Sequence, residues 1–298
     1  MPGPLEPPAQ LFVLGAGIMG SGIAGQAALA GHPVTLYDIE TRLAERGRER
    51  AAHDLERHCV REGRPATEAR EAADRISATS ELDGLAGSSL VLEAAPESLE
   101  LKRRLFQEMD RRAPAETLLA SNTSSLSITA LAAVTKRPER VVGIHFFNPV
   151  LRMPLVEIIA GVRTSGETVQ RARAFAEGLG KTVTLSQDAP GFVTSRSMAV
   201  LVNEAIWMLY DRVATREDID RAHKLGFHHP MGPLELADLV GLDTLLHVLD
   251  RLYTGFRDPK YRACPLLVNL VEAGKLGRKT GEGFYTYPAP PASLGGAA

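Results

Sequence analysis

The chain has 298 residues, 44% hydrophobic, 23% charged and 5% aromatic, a composition that excludes wholesale disorder and a length that suits two domains. Thirty-four basic residues against 36 acidic ones leave a net charge of −2, so the whole-chain balance draws it neither to nucleic acid nor to an anionic membrane. Two cysteines, Cys59 and Cys264, are too few and too far apart for a disulfide framework or a zinc cluster. No apolar run reaches the roughly 18 residues that a bilayer-spanning helix needs.

The opening MPGPLEPPAQ has neither the basic nor the apolar stretch of a secretory signal, so the protein is expected in the cytoplasm, with residues 1–9 as a flexible tail. From there short apolar runs alternate with longer helical patterns. LFVLG (11–15), VTLYD (34–38), LVLEAA (90–95), LLASN (118–122), VVGIHFF (141–147), LVEII (155–159) and TVTLS (182–186) read as strands. Their near-continuous apolar character suits a parallel sheet buried on both faces, and the alternation predicts a doubly wound α/β domain over 10–187.

After DAPGF (188–192) helical periodicity takes over, through SMAVLVNEAIWMLYDR, TREDIDRAHKLG, GPLELADLVGLDTLLHVLDRLY and PLLVNLVEAG. An all-helical domain is expected over 188–287, then a Pro-, Gly- and Ala-rich flexible tail over 288–298. Thr215 with Asp218 resembles a capping box, and Gly226 is placed as a helix stop.

GAGIMG (15–20) has the spacing G-x-G-x-x-G, and it leaves the strand LFVL to enter the helix-compatible run SGIAGQAALAG. Gly15 permits a tight turn, Gly17 lets the backbone approach a pyrophosphate, and Gly20 allows close helix–strand packing. Ile18 and Met19 open the helix whose N–H groups would hold that diphosphate. Asp38 ends the next strand, where a carboxylate accepts the ribose hydroxyls of NAD and repels a 2′-phosphate. NAD is therefore the expected cofactor, and an ordinary turn residue is the alternative for Asp38.

His145 closes the strand VVGIHF at the sheet edge where doubly wound folds bind ligands. Glu157 lies inside the apolar run LVEII, a costly place for a carboxylate without a partner. A turn through Pro149–Pro154 would bring Glu157 to one nitrogen of His145, making an imidazole base with a carboxylate orienter. A structural histidine and an edge-strand glutamate remain the alternative. SNTSSL (121–126) ends another strand in hydroxyls and an amide, which serve either as helix caps or as polar groups facing the crevice. The charged stretch 40–64 reads as a solvated helix with i,i+4 pairs, or as a source of phosphate contacts from Arg57, Arg61 or Arg64.

GAGIMGSGIA, SNTSSLSIT, HFFNPV, LVEII, DAPGF, PMGPLELADLVGLD (230–243) and GRKTGEGFY (277–285) together resemble the short-chain L-3-hydroxyacyl-CoA dehydrogenases, nearest the bacterial 3-hydroxybutyryl-CoA subgroup, over about residues 10–287. The resemblance implies NAD-dependent, reversible oxidation of an acyl-CoA substrate, with His145 as general base and Glu157 as its partner. It implies that Ser124 and Asn148 hold substrate near the nicotinamide. Gly15, Gly17, Gly20, Asp38, Glu97, Lys102 and Lys279 match cofactor contacts, and the helical domain matches a homodimer interface. No metal is called for, since base and cofactor cover proton and hydride.

Two segments depart from the family pattern. Ser195 in PGFVTSR stands where asparagine is usual, and Asp54 and Arg61 stand where serine and lysine often meet coenzyme A. Arg61, not Asp54, is retained as a candidate phosphate contact, and Ser195 as a candidate substrate residue. Two rival functions remain: a dehydrogenase of a free hydroxy acid or sugar acid, of the gulonate dehydrogenase/λ-crystallin branch, and a non-catalytic NAD(H)-binding protein.

Overall fold

A computed structural model describes residues 9–288, which fall into two compact units meeting at Ala189 and Pro190. The tails expected at 1–9 and 288–298 lie outside the described residues except for Ala9 and Pro288.

The first unit runs β1 (Leu11–Leu14), α1 (Ile18–Leu29), β2 (Val34–Tyr37), α2 (Thr41–Arg61), α3 (Ala66–Asp74), β3 (Ile76–Thr79), β4 (Leu90–Glu93) and α4 (Leu99–Arg112). It continues with β5 (Leu118–Ser121), α5 (Ile128–Ala132), β6 (Val141–Phe146), β7 (Leu155–Ala160), α6 (Gly166–Gly178) and β8 (Thr182–Gln187). The eight strands form one sheet in the order β3-β2-β1-β4-β5-β6-β7-β8. Every neighbouring pair is parallel except β6 with β7. The fold class is the Rossmann-like one expected from the alternation, and its topological switch point lies between β1 and β4, where successive connections leave in opposite directions.

Local sequence explains most elements. The four residues of β1, β4 and β5 are all buried, the signature of strands covered on both faces. Helix α1 buries every residue from Gly20 to Ala28, and its small side chains suit a helix enclosed in the core. Helix α2 is amphipathic instead, burying Ala44, Gly47, Ala51, Leu55 and Cys59 at helical spacing.

Three differences from the sequence expectation have physical causes. Strand β3 escaped notice because ISAT buries only Ile76 and offers no apolar run. The β6–β7 pair is antiparallel because residues 147–154 are too few for the crossover that a parallel return requires. The charged pairs inside α2 are local rather than a lattice: Arg48 bonds Glu45, and Arg61 bonds Glu62 just past the helix.

The second unit is helical: α7 (Thr194–Tyr210), α8 (Arg216–Gly226), α9 (Pro233–Val240), α10 (Leu242–Phe256) and α11 (Pro265–Glu272). Ile206, Leu234, Leu245, Leu249 and Leu267 are fully buried in its core. Thr215 caps α8 by accepting from the Asp218 amide, and the helix runs through Gly226 to a cap at Phe227. Asp220 caps α9 through the amides of Leu234 and Glu235. Asp238 is fully buried and accepts from Phe284 N, Tyr285 N and the Tyr287 hydroxyl, which ties the GEGFY segment to α9.

Candidate active site

The β1–α1 loop is shaped by its three glycines for three different reasons. Gly15 has φ +100° and a Cβ there would meet the Ala94 carbonyl at 2.7 Å, so the turn both requires and encloses a glycine. A Cβ on Gly20 would sit 1.7 Å from the Gly15 carbonyl oxygen, which fixes the approach of α1 to the loop. Gly17 is exposed and a Cβ would meet nothing within 4 Å, so no protein atom needs it small. The open space above it, at the positive end of a 12-residue helix, fits a dinucleotide phosphate. Ile18 is exposed and Met19 half-buried at the same helix start.

Asp38 follows β2 on the same sheet edge. Its carboxylate accepts from Ala16 N at 2.9 Å and Ile39 N at 2.8 Å, one bond per oxygen, and each oxygen keeps a second acceptor site. The nearest arginine, Arg42, is exposed and pairs with Glu40.

Across the switch point, Glu93 ends β4 with no solvent exposure. One oxygen accepts from Lys102 Nζ at 2.6 Å and Ala95 N at 2.7 Å, and the other from the Ser121 hydroxyl at 2.6 Å. Burial pushes the Glu93 carboxyl up, against the opposing pull of Lys102, Ser121 and the Ala95 amide. Lys102 is 1% exposed and also reaches the Ala95 carbonyl and, at 3.4 Å, Glu97. Glu97 in turn accepts from the hydroxyls of Thr123 and Ser125, the two neighbours of Ser124. The loops after β4 and β5 are thereby joined through buried charge, with half-buried Ser124 between the two anchored residues. The helix cap in this stretch is Ser127, which accepts from Ala130 N, so residues 121–126 are not the caps of α5.

On β6, His145 faces Glu157 of β7 directly in the antiparallel register. Directly opposed residues project from the same sheet face, and His145 Nδ1 lies 2.8 Å from Glu157 Oε2. His145 is 7% exposed and Glu157 is 0% exposed. With the Glu157 carboxylate as acceptor, the ring would donate through Nδ1 and leave Nε2 as the nitrogen that could take a proton. Phe147 packs on the imidazole with ring centroids 4.4 Å apart. Asn122 supports the same strand end, accepting from Phe146 N at 2.8 Å. Asn148 follows as an exposed residue, joined to Pro149 by a cis peptide bond.

The remaining residues singled out from the sequence belong to other elements. Arg61 closes α2, bonded to Glu62 and His58. Ser195 is half-buried in the first turn of α7, and Lys279 is held by both oxygens of Asp243, both in the second unit. Sequence reasoning passed over Glu93, although the rule that flagged Glu157, a carboxylate inside an apolar run, applies equally to LVLEAA.

Residues 10–189 match the 3-hydroxyacyl-CoA dehydrogenase NAD binding domain, and residues 191–287 match the C-terminal domain of the same enzymes. The chain belongs to the 3-hydroxyacyl-CoA dehydrogenase family. It is 49% identical over 278 residues to a probable 3-hydroxybutyryl-CoA dehydrogenase of Bacillus subtilis, covering 93% of this chain and 97% of that one. A 3-hydroxybutyryl-CoA dehydrogenase of Bradyrhizobium diazoefficiens is also 49% identical, over 92% of this chain and 94% of its own. The crystal structure of (S)-3-hydroxybutyryl-CoA dehydrogenase from Ralstonia eutropha superposes with a TM-score of 0.91 at 42% identity, covering 94% and 99% of the two chains. For a 3-hydroxyacyl-CoA dehydrogenase family member, the open glycine loop and Asp38 are the residues that fit NAD, and His145 with Glu157 is the pair that fits proton transfer.

Proposed function

We propose that this chain catalyses the reversible, NAD-dependent oxidation of a short-chain L-3-hydroxyacyl-CoA, 3-hydroxybutyryl-CoA, to the 3-ketoacyl-CoA. The observation that carries the reading is the buried His145–Glu157 pair at the sheet edge that also presents the glycine loop. NAD, when bound, supplies the hydride acceptor. His145 takes the hydroxyl proton at Nε2, and Glu157 stabilises the imidazolium that results. Ser124 and Asn148 orient the substrate hydroxyl carbon, a positioning role in which reacting atoms about 3–3.5 Å apart supply much of the rate.

Gly15, Gly17, Ile18, Met19 and Gly20 hold the diphosphate, and Asp38 holds the ribose. Glu97 and Lys102 act at the next loop through the network around Glu93, and Lys279 is assigned to the dinucleotide from the second unit. Arg61 is assigned to a coenzyme A phosphate and Ser195 to the substrate. Cofactor and thioester together define an oxidoreductase of fatty-acid or butanoate metabolism.

The same reading makes the protein a cytoplasmic homodimer assembled through its helical unit. That unit exposes Val213, Leu225 and Phe227, each more than three-fifths accessible, as apolar surface for a second copy. No helix among the described residues is long and apolar enough to cross a membrane. Both cysteines are buried free thiols, as suits a reducing compartment.

Loss of nicotinamide absorbance with acetoacetyl-CoA tests the reaction. Rapid turnover with NADH, and turnover at least about tenfold slower with NADPH, is the expected result. NADH binding without turnover of any 3-ketoacyl-CoA would overturn it. Preference for free 3-hydroxybutyrate over its thioester would move the assignment to a free hydroxy acid.

A further inference from the structure

Lys181 precedes β8 and is 8% exposed, yet the dehydrogenase reading gives it no task. Its ammonium donates to the carbonyl of Val150 at 2.6 Å and to that of Met153 at 3.0 Å. Both acceptors belong to the loop 147–154 that joins His145 on β6 to Glu157 on β7. The backbone just beyond adds a third tie, Thr182 N to the Pro154 carbonyl at 2.7 Å. Inside the loop the Pro149 carbonyl accepts from Arg152 N and Met153 N, each at 2.9 Å. On the other side Val150 is packed against α1, where a Cβ on Gly22 would lie 2.9 Å from a Val150 methyl. The loop is therefore held between α1 and one buried cation, with Asn148 among the residues it leaves exposed.

We propose that Lys181 is a positioning residue for the dehydrogenase reaction, whose charged ammonium clips the β6–β7 loop and so sets Asn148 beside His145. The inference rests on the proposed function only through the role of Asn148. A lysine suits this place because two carbonyls of a tight loop need donors that no backbone amide supplies, and a charged donor makes the stronger bond.

The clip is also sensitive to pH. Burial brings the Lys181 ammonium down to about 8, with no carboxylate offsetting the desolvation. His58 on α2 is held low by burial and by Arg61, with smaller effects from Glu62, Arg64 and Lys181. On the loop, Arg152 is exposed. On α6, Glu177 pairs with Arg173, and on β7, Glu157 is engaged with His145. Gln26 of α1 is neutral and bonds the Leu179 carbonyl.

The sign separates the clip from global stability. Between about 8 and the ordinary 10.5 the unfolded chain binds the extra proton, so this group's contribution to stability rises with pH across that window. The clip weakens over the same window. Activity should fall above about pH 8 although this group's own contribution to stability does not.

The test is steady-state NAD reduction with L-3-hydroxybutyryl-CoA, the direction in which His145 accepts rather than gives the proton, across the alkaline range, in the wild type, Lys181→Met and Lys181→Arg, with hydrogen–deuterium exchange of residues 149–153 at matched pH. The methionine variant should lose about ten- to a hundredfold in kcat, a penalty typical of small misplacements, with the KM for NAD within about threefold and the loop exchanging faster. Arginine stays charged, so it should restore turnover and abolish the alkaline fall. Wild-type kcat and loop protection in Lys181→Met, or an alkaline limb surviving in Lys181→Arg, would overturn the proposal. Should the methionine variant not fold, the arginine profile decides. A wild type inert toward L-3-hydroxybutyryl-CoA would sink the dehydrogenase reading, while loop exchange would still decide the clip.

Discussion

Two carboxylates, Glu93 on β4 and Glu157 on β7, are buried to the same degree at the same edge of the sheet, with 0% exposure each. Their partners differ. Glu93 meets a lysine, a serine hydroxyl and a backbone amide, so its acceptor sites are filled by groups that stay put. Glu157 meets a histidine, which changes protonation in the range where enzymes work. Equal burial thus yields a structural tie in one place and, on the proposed function, a pair suited to proton transfer in the other. What decides is the partner's chemistry, not the carboxylate's environment.

The largest effect that would break this comparison concerns stability at Glu93. Lys102→Met leaves a buried carboxylate without its cation, and should cost about 3–5 kcal/mol, read as a lower denaturant midpoint. Burial already raises the Glu93 pKa, and removing Lys102 removes a lowering influence. The folded variant then binds the proton more tightly than the unfolded chain, so its stability should fall as pH rises above the ordinary carboxylate range. A variant as stable as wild type, with no such slope, would mean that the pair contributes nothing.

At the other carboxylate the effect should appear in rate. His145→Gln is expected to lower kcat by at least about a hundredfold, equivalent to about 2.7 kcal/mol, with the NADH dissociation constant unchanged. Near-normal turnover would remove His145 as the base. The smallest effect sharpens the contrast from outside: Arg48 and Glu45 form a pair that is 42% and 44% exposed. Arg48→Ala should shift stability by no more than about 0.5 kcal/mol and leave turnover alone, because solvent screens such pairs. A larger shift there would show that burial is not what separates the cases.

Much of the site was legible along the chain. The glycine spacing after LFVL, the carboxylate closing VTLYD, and the lone histidine and glutamate in neighbouring apolar runs are local patterns whose chemistry needs no coordinates. Glu93 was equally visible in LVLEAA, but its partner Lys102 lies nine residues on, in a helix that reads as ordinary amphipathic sequence. Lys181 was not legible at all. Its partners are backbone carbonyls, which every residue carries, so no side-chain pattern marks them.

The sequence by itself determined the alternation of strand and helix, the shift to helical periodicity after DAPGF, and which groups are candidates to bind phosphate or move a proton. These follow from side-chain periodicity and chemistry, which are properties of short segments. The tertiary structure alone decided that β3 joins the sheet, that β7 returns antiparallel so that His145 and Glu157 stand opposed, and that Lys102 and Lys181 are buried cations. Those facts depend on which distant segments share a face and on what burial does to a charge, and neither is written in any window of the chain.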